Sequence, residues 1–383
     1  MIPLSVPSLK GNEWQYVKEC IDTEWVSSAG KYVDLFEENI AEYTGSKYAV
    51  ACVNGTSALQ VSLRLAGVLP GDEVIVPTLT FIAPVNAIAY NGANPVFMDV
   101  NEHYNLDLEK TIEFIQTETV FKNGKTYSKQ TDKCISAIVP VHMWGNSVWL
   151  DDLVSVCKDR NIAIVEDASE SLGSIYNRGN YKDYHTGTVG ELGCLSFNGN
   201  KIITTGGGGM ILTNDKQLAD KARYLTTQAK DDPIRYIHDE IGYNFRLTNI
   251  QAALGVAQLE QLPKFLEQKT KIYKQYIKEL EAVEGLAIAT VPDYADNNYW
   301  MILLQIDKKY YGENREELML RLNENKIQTR PAWSPIHLQK PYHSCQSYKI
   351  EKSIELINNS LCIPSSTNLS KKDIQKVIKH LNA

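Results

Sequence analysis

The sequence predicts an α/β fold, a mostly parallel central sheet followed by a smaller C-terminal α+β unit. Over the first two-thirds, short apolar runs recur between helix-length stretches, the pattern of crossover units that bury a sheet on both faces. After Arg246 and Asn249 the texture changes to a long helical pattern through Ala252, Leu254, Val256, Leu259, Leu262 and Phe265. The expected division is 1–249 for a large domain and 250–383 for a small one. A chain of 383 residues has room for both.

Residues 48–53 read as a buried strand, followed by Asn54, Gly55, Thr56 and Ser57 and a helix with apolar positions at Leu59, Leu63 and Leu65. Further strand-like runs lie at 73–77, 95–99, 136–141 and 162–167, and two more, 193–197 and 208–213, flank Lys201. Between 117 and 133, Asn123-Gly124 separates two β-prone pieces and signals a hairpin, either a surface excursion or a reach over a neighbouring subunit.

Composition narrows the function classes. A net charge of -7 argues against nucleic acid or an anionic membrane surface as the main partner. No apolar stretch approaches the roughly 20 residues a membrane helix needs, and the start has no basic segment leading into an apolar one. The seven cysteines are odd in number and scattered, with no Cys-x-x-Cys, so the expected setting is the reducing cytoplasm, without a structural metal.

The chemistry concentrates around Lys201, which stands between a short apolar run and four consecutive glycines, 206–209. Glycines allow positive φ and close backbone approach to a bulky ligand, and a lysine in so crowded a setting suits Schiff-base chemistry rather than a solvated surface charge. Asp167 ends the 162–167 run, at the carboxyl end of a strand where ligands bind in such sheets. A lysine for an aldehyde and an aspartate for a pyridine nitrogen are the groups that pyridoxal 5′-phosphate (PLP) requires. Lysine then serves as both anchor and general acid/base.

The remaining candidates complete that reading. Gly55, Thr56 and Ser57 open a helix, where free N–H groups favour a phosphate dianion, and Ser196 can add a hydroxyl. Phe81 follows a strand and suits stacking on a pyridine face. Glu170 lies close to Asp167 in sequence and can reach the ring's phenolic side. Trp25 and Ser28, Arg246 in the 242–246 run, and His337 in the 330–337 loop are candidate substrate contacts.

Together these residues resemble the DegT/StrS family of nucleotide-sugar aminotransferases, across 25–30, 54–59, 71–81, 166–173, 196–209, 242–254 and 329–337. The resemblance implies the type I, aspartate-aminotransferase-like fold, with Lys201 as the Schiff-base lysine and Asp167 as partner of the pyridine nitrogen. It implies phosphate contacts from Thr56, Ser57 and Ser196, ring stacking by Phe81, and a homodimer with shared sites in which Asn244 reaches the neighbouring subunit's phosphate. Two positions depart from the commonest pattern: Gly207 replaces an acid, and Glu170 stands where Gln or His is frequent. The strings EDASESLG at 166–173, SFNGNKIITTG at 196–206 and LTTQAK at 225–230 look like the branch serving legionaminic acid and bacillosamine pathways. That branch transfers the amine of L-glutamate to C4 of a UDP-linked 4-keto-6-deoxy-N-acetylhexosamine. The alternatives are a GDP-perosamine-type or 3-keto-sugar aminotransferase and, from a different class, a PLP-binding regulator without turnover.

Overall fold

The computed structural model describes residues 1–232 and 234–382. The central sheet uses the runs read from the sequence: β1 Tyr48–Cys52, β2 Glu73–Pro77, β3 Asn94–Met98, and, after a hairpin of β4 Thr119–Lys122 and β5 Lys125–Ser128, β6 Ile135–Ile138 and β7 Ala163–Asp167. A two-residue β8 at Ile175–Tyr176 precedes β9 Leu192–Ser196 and β10 Gly209–Thr213. The strand order is β1-β10-β9-β7-β6-β2-β3, with the short β15 Ser347–Tyr348 added at the far edge. Neighbours from β9 through β15 pair in parallel, whereas β10 runs antiparallel to both β9 and β1. The connection of residues 197–208, which carries Lys201, returns the chain beside β9 without a crossover helix, so β9 and β10 pair antiparallel.

Both faces of the sheet are covered. Along β2, Val74 and Val76 belong to one apolar cluster and Ile75 to another on the opposite face. In β3, Phe97 joins the first cluster and Val96 and Met98 the second. Alternation of this kind puts every side chain of a strand into a core, so the strands read as unbroken apolar runs. In the hairpin, Asn123 (φ 53°) and Gly124 (φ 74°) are both left-handed, as a two-residue type I′ turn requires. It lies on its own chain, with Thr126 Oγ1 donating to the Arg160 carbonyl and Asn161 Nδ2 to that of Gly124.

The helices in chain order are α1 Glu13–Asp22, α2 Lys31–Thr44, α3 Gly55–Leu65, α4 Ala83–Tyr90, α5 Leu108–Thr117, α6 Asp151–Arg160, α7 Lys216–Thr226 and α8 Asn249–Leu280. Thr248 and Gln251 form a capping box that starts α8 where the sequence changes texture. The first half of α8 buries Ala252, Ala253, Val256 and Leu259 in the large core; the second half gives Ile272, Tyr273, Tyr276 and Leu280 to a separate C-terminal core. That core also holds the antiparallel sheet β11-β13-β16-β14, built from Leu286–Ile288, Ile302–Ile306, Ser360–Ile363 and Arg330–Pro331. Chain continuity is not respected on either side of residue 250. Ile2 packs into the C-terminal core and bonds the Lys326 carbonyl, while β15 pairs with β3. No described helix is long and apolar enough to cross a membrane.

Candidate active site

Strands β1, β2, β7 and β9 point the same way, and their carboxyl ends open on one cleft of about 270 Å³. Its floor holds Asn54, Gly55 and Thr56 after β1, Thr80 and Phe81 after β2, Asp167 and Glu170 after β7, and Ser196 and Lys201 at and after β9. Trp300 and Trp333, both from beyond residue 250, complete its lining. Ligands bind at this end of α/β sheets because strand ends and helix starts expose unpaired main-chain groups there.

The start of α3 is built to receive an anion. Asn54 caps it, its Oδ1 accepting the Ser57 N–H at 2.7 Å, while the N–H groups of Gly55 and Thr56 have no acceptor among the described residues. A Cβ at Gly55 would lie 2.9 Å from Ser196 Cβ and 3.2 Å from Ser169 Oγ, so only glycine lets the turn sit this close to β9. Of the four glycines 206–209, only Gly206 is left-handed (φ 80°). Gly208 and Gly209 are required by contact instead: a Cβ on Gly209 would come 2.5 Å from the Asn54 carbonyl carbon.

Lys201 Nζ lies 3.3 Å from Glu170 Oε1 and 4.0 Å from the centre of the Trp300 ring. Glu170 is buried, and its other oxygen accepts the N–H of Trp144 at 2.9 Å. Asp167 is buried at the end of β7 and accepts the Ser169 N–H at 3.0 Å. Burial pushes both carboxyls above the usual carboxylate range, against the pull of Ser169 and Lys201 on Asp167 and of Lys201 and Trp144 on Glu170. Glu166, the preceding residue, faces the other way and is held low despite burial by His142 and the N–H groups of Gly187 and Gly190.

Several expected residues lie outside the cleft. Ser57 is buried one step into α3 and does not line it. Arg246 is committed to an ion pair with Glu37, a buried carboxylate that also accepts from Ala51 N and Arg223. Asn244 is exposed and away from this chain's own cleft, bridging Thr227. Trp25 and Ser28 sit in an exposed loop that Asn249 anchors by donating to the Trp25 carbonyl at 2.7 Å. His337 Nδ1 lies 2.6 Å from Thr78 Oγ1, behind the cleft wall. Conversely, Thr80, Asn198, Asn200 and Trp300 line the cleft without having been singled out. For Trp300 no local signal exists, since its neighbours in sequence are far from any motif.

A family model for DegT/DnrJ/EryC1/StrS aminotransferases matches residues 7–382. The chain belongs to that family. It is 37% identical to the GDP-perosamine synthase of Escherichia coli O157:H7, over 100% of this chain and 98% of that protein. Among solved structures, the aminotransferase TlmJ from Streptoalloteichus hindustanus superposes with a TM-score of 0.87 at 27% identity, covering 100% of this chain and 98% of that one. DesI, solved in the presence of its TDP-sugar product, gives 0.86 at 26% identity, covering 100% and 92%. These are type I PLP aminotransferases, and the fold described above is theirs.

The chain is therefore a PLP-dependent aminotransferase, and its cleft fits the cofactor. Thr80 Oγ1 is buried without a hydrogen-bond partner among the described residues, a state that a bound polar group relieves. Open N–H groups at a helix start, a buried carboxylate and a lysine amine share the same 270 Å³, the donor set for phosphate, pyridine nitrogen and aldehyde.

Proposed function

We propose that this enzyme transfers the amino group of L-glutamate to C4 of a nucleotide-linked 4-keto-6-deoxy sugar, the UDP-linked N-acetylhexosamine of the legionaminic acid and bacillosamine branch. The observation that carries the reading is the convergence of Lys201, Asp167 and the α3 start in one cleft walled by two tryptophans. Bound PLP supplies an electron sink that stabilises negative charge on the carbon losing or gaining a proton. Lys201 would hold the cofactor through its Nζ, and the same amine would move the proton. Asp167 would hold the ring nitrogen in its protonated form, and a cation there would draw the buried carboxyl back towards its ionised form. Gly55 and Thr56 N–H groups with Ser196 hold the phosphate, and Phe81, 54% exposed with its ring edge-on to Trp333, is free to stack on the pyridine.

The three strings at 166–173, 196–206 and 225–230 support the UDP-N-acetyl acceptor. The second reading is a GDP-linked acceptor, which whole-length identity to a GDP-perosamine synthase favours. A homodimer with shared sites belongs to either reading; exposed Asn244, which does not line its own cleft, supports it. A cytoplasmic location belongs to the same proposal.

Incubating purified enzyme with PLP, L-glutamate and UDP-, GDP- and dTDP-4-keto-6-deoxy sugars, then analysing products by mass spectrometry, tests this reading. Amination of the UDP-N-acetyl sugar alone is the expected result. Amination of the GDP sugar alone moves the enzyme to the second reading, and 3-amination overturns both.

A further inference from the structure

The amine of Lys201 does not hang free in the cleft. It sits between Glu170 Oε1 at 3.3 Å and the face of the Trp300 indole, whose centroid is 4.0 Å away. Trp300 is buried and held at every polar atom it has. Its N–H donates to Asn298 Oδ1 at 2.9 Å, its carbonyl accepts from Lys269 Nζ at 2.8 Å, and its indole Nε1 donates to the Asn200 carbonyl at 2.6 Å.

Asn298 is itself fully buried and joins the two walls around the lysine. While Oδ1 takes the Trp300 N–H, Nδ2 donates to the carbonyls of Glu170 at 2.8 Å and Leu172 at 3.0 Å. The fit is close: a Cβ on Gly145 (φ 95°) would lie 2.1 Å from Asn298 Oδ1. Lys269 projects from the middle of α8, the helix that spans both cores, and also reaches Ser365 Oγ at 3.4 Å. The Nε1 bond to the Asn200 carbonyl fixes the ring plane relative to the lysine, and the Asn298 and Lys269 bonds fix the main chain that carries the ring.

A lysine that alternates between a covalent and a free state needs a defined place for the free one, because its side chain otherwise samples many rotamers. An indole face attracts an ammonium most strongly when both are shielded from water. We propose that Trp300 is a further catalytic residue, whose indole face holds the Lys201 amine while it is not bonded to the cofactor, and that Asn298 and Lys269 are positioning residues acting through Trp300. This rests on Lys201 being the lysine that carries PLP.

The test uses holoenzyme treated with L-glutamate alone, so that the Lys201 amine is released, followed by brief acetylation and peptide mass spectrometry. Acetylation of Lys201 is expected to rise roughly tenfold in Trp300→Ala and to stay near wild type in Trp300→Phe, which keeps an aromatic face. In the same samples Lys269 reports folding, because it becomes reactive only if the core opens. Should Trp300→Ala expose Lys269, Lys269→Met serves instead, with a smaller rise at Lys201. Turnover in Trp300→Ala is expected to fall about tenfold with little change in KM for either substrate. Wild-type acetylation of Lys201 in folded Trp300→Ala, or in Lys269→Met where that variant stands in, overturns the proposal. Borohydride reduction of untreated holoenzyme separates this from failure of the underlying reading, since it marks whichever lysine carries PLP.

Discussion

Lys201 and Asp167 carry the proposed chemistry, and each gives a prediction at the residue scale. Arginine at 201 keeps a charge but never offers a free amine, so Lys201→Arg is expected to lower transamination by roughly 10⁴-fold. A variant that still aminates a keto sugar at a comparable rate would remove Lys201 from the mechanism. Asp167 is buried with its carboxyl pushed up by desolvation. With the folded pKa above the unfolded one, the folded state holds more protons across the window between them, so stability falls as pH rises through it. Above that window the penalty persists. Asp167→Asn is therefore expected to raise the Tm of PLP-free protein at pH 8 by about 1 °C, for a change on the order of 1 kcal/mol in a chain of 383 residues. The gain should vanish at acid pH, and activity should be lost throughout. Calorimetry at the two pH values checks the sign; a lower Tm for Asp167→Asn at pH 8 would contradict it. Both residues were legible in the sequence because each ends or follows an apolar run that reads as a strand. Arg246 was not, since nothing local shows that Glu37, far away in sequence, is buried and needs a cation.

At the scale of elements, the junction of β10 with α3 and the middle of α8 decide how the site is held. A Cβ at Gly209 would press on the Asn54 main chain at 2.5 Å, where no flexible side chain can yield. Gly209→Ala is expected to destabilise by about 1–3 kcal/mol and to loosen PLP, measured as faster cofactor loss on dialysis. Retention of PLP at the wild-type rate would mean that α3 does not carry the phosphate. In α8, burial lowers the Lys269 amine to about 7. Below that pH the folded state carries a buried charge and the full penalty. Above it the unfolded chain alone stays protonated, so stability rises with pH by up to ~1.4 kcal/mol per unit. Lys269→Met removes the penalty along with the bond to Trp300, so its stability relative to wild type should be highest below pH 7 and decline towards pH 10. Denaturant melts at pH 6, 8 and 10 decide this, and a difference independent of pH would show that Lys269 is not charged by burial-limited titration. Helix α8 was readable from its apolar spacing; the role of a lysine on its buried side was not, because in sequence it resembles any solvated lysine.

For the whole molecule, the prediction concerns assembly. Exposed Asn244 and a cleft without it suit sites completed across a two-fold axis. Lys201→Ala and Asn244→Ala are each expected to be impaired. Mixed after partial unfolding, they should recover about a quarter of wild-type activity, because half of the dimers are mixed and each carries one intact site. No recovery from well-folded mixtures would confine Asn244 to its own chain.

The sequence by itself determined the order of strands and helices, the covering of the sheet on both faces, the two strands that flank the lysine loop and the cofactor chemistry. Periodicity, glycine placement and a few reactive groups are local, and local patterns survive in a one-dimensional record. Only the tertiary structure decided that Trp300 covers the lysine, that Asn298 and Lys269 hold it there, that Arg246 answers Glu37, and that Ile2 belongs to the C-terminal core. Each of these is a contact between segments distant in the chain, created by packing and by the need to satisfy buried polar groups, and no spacing along the sequence encodes it.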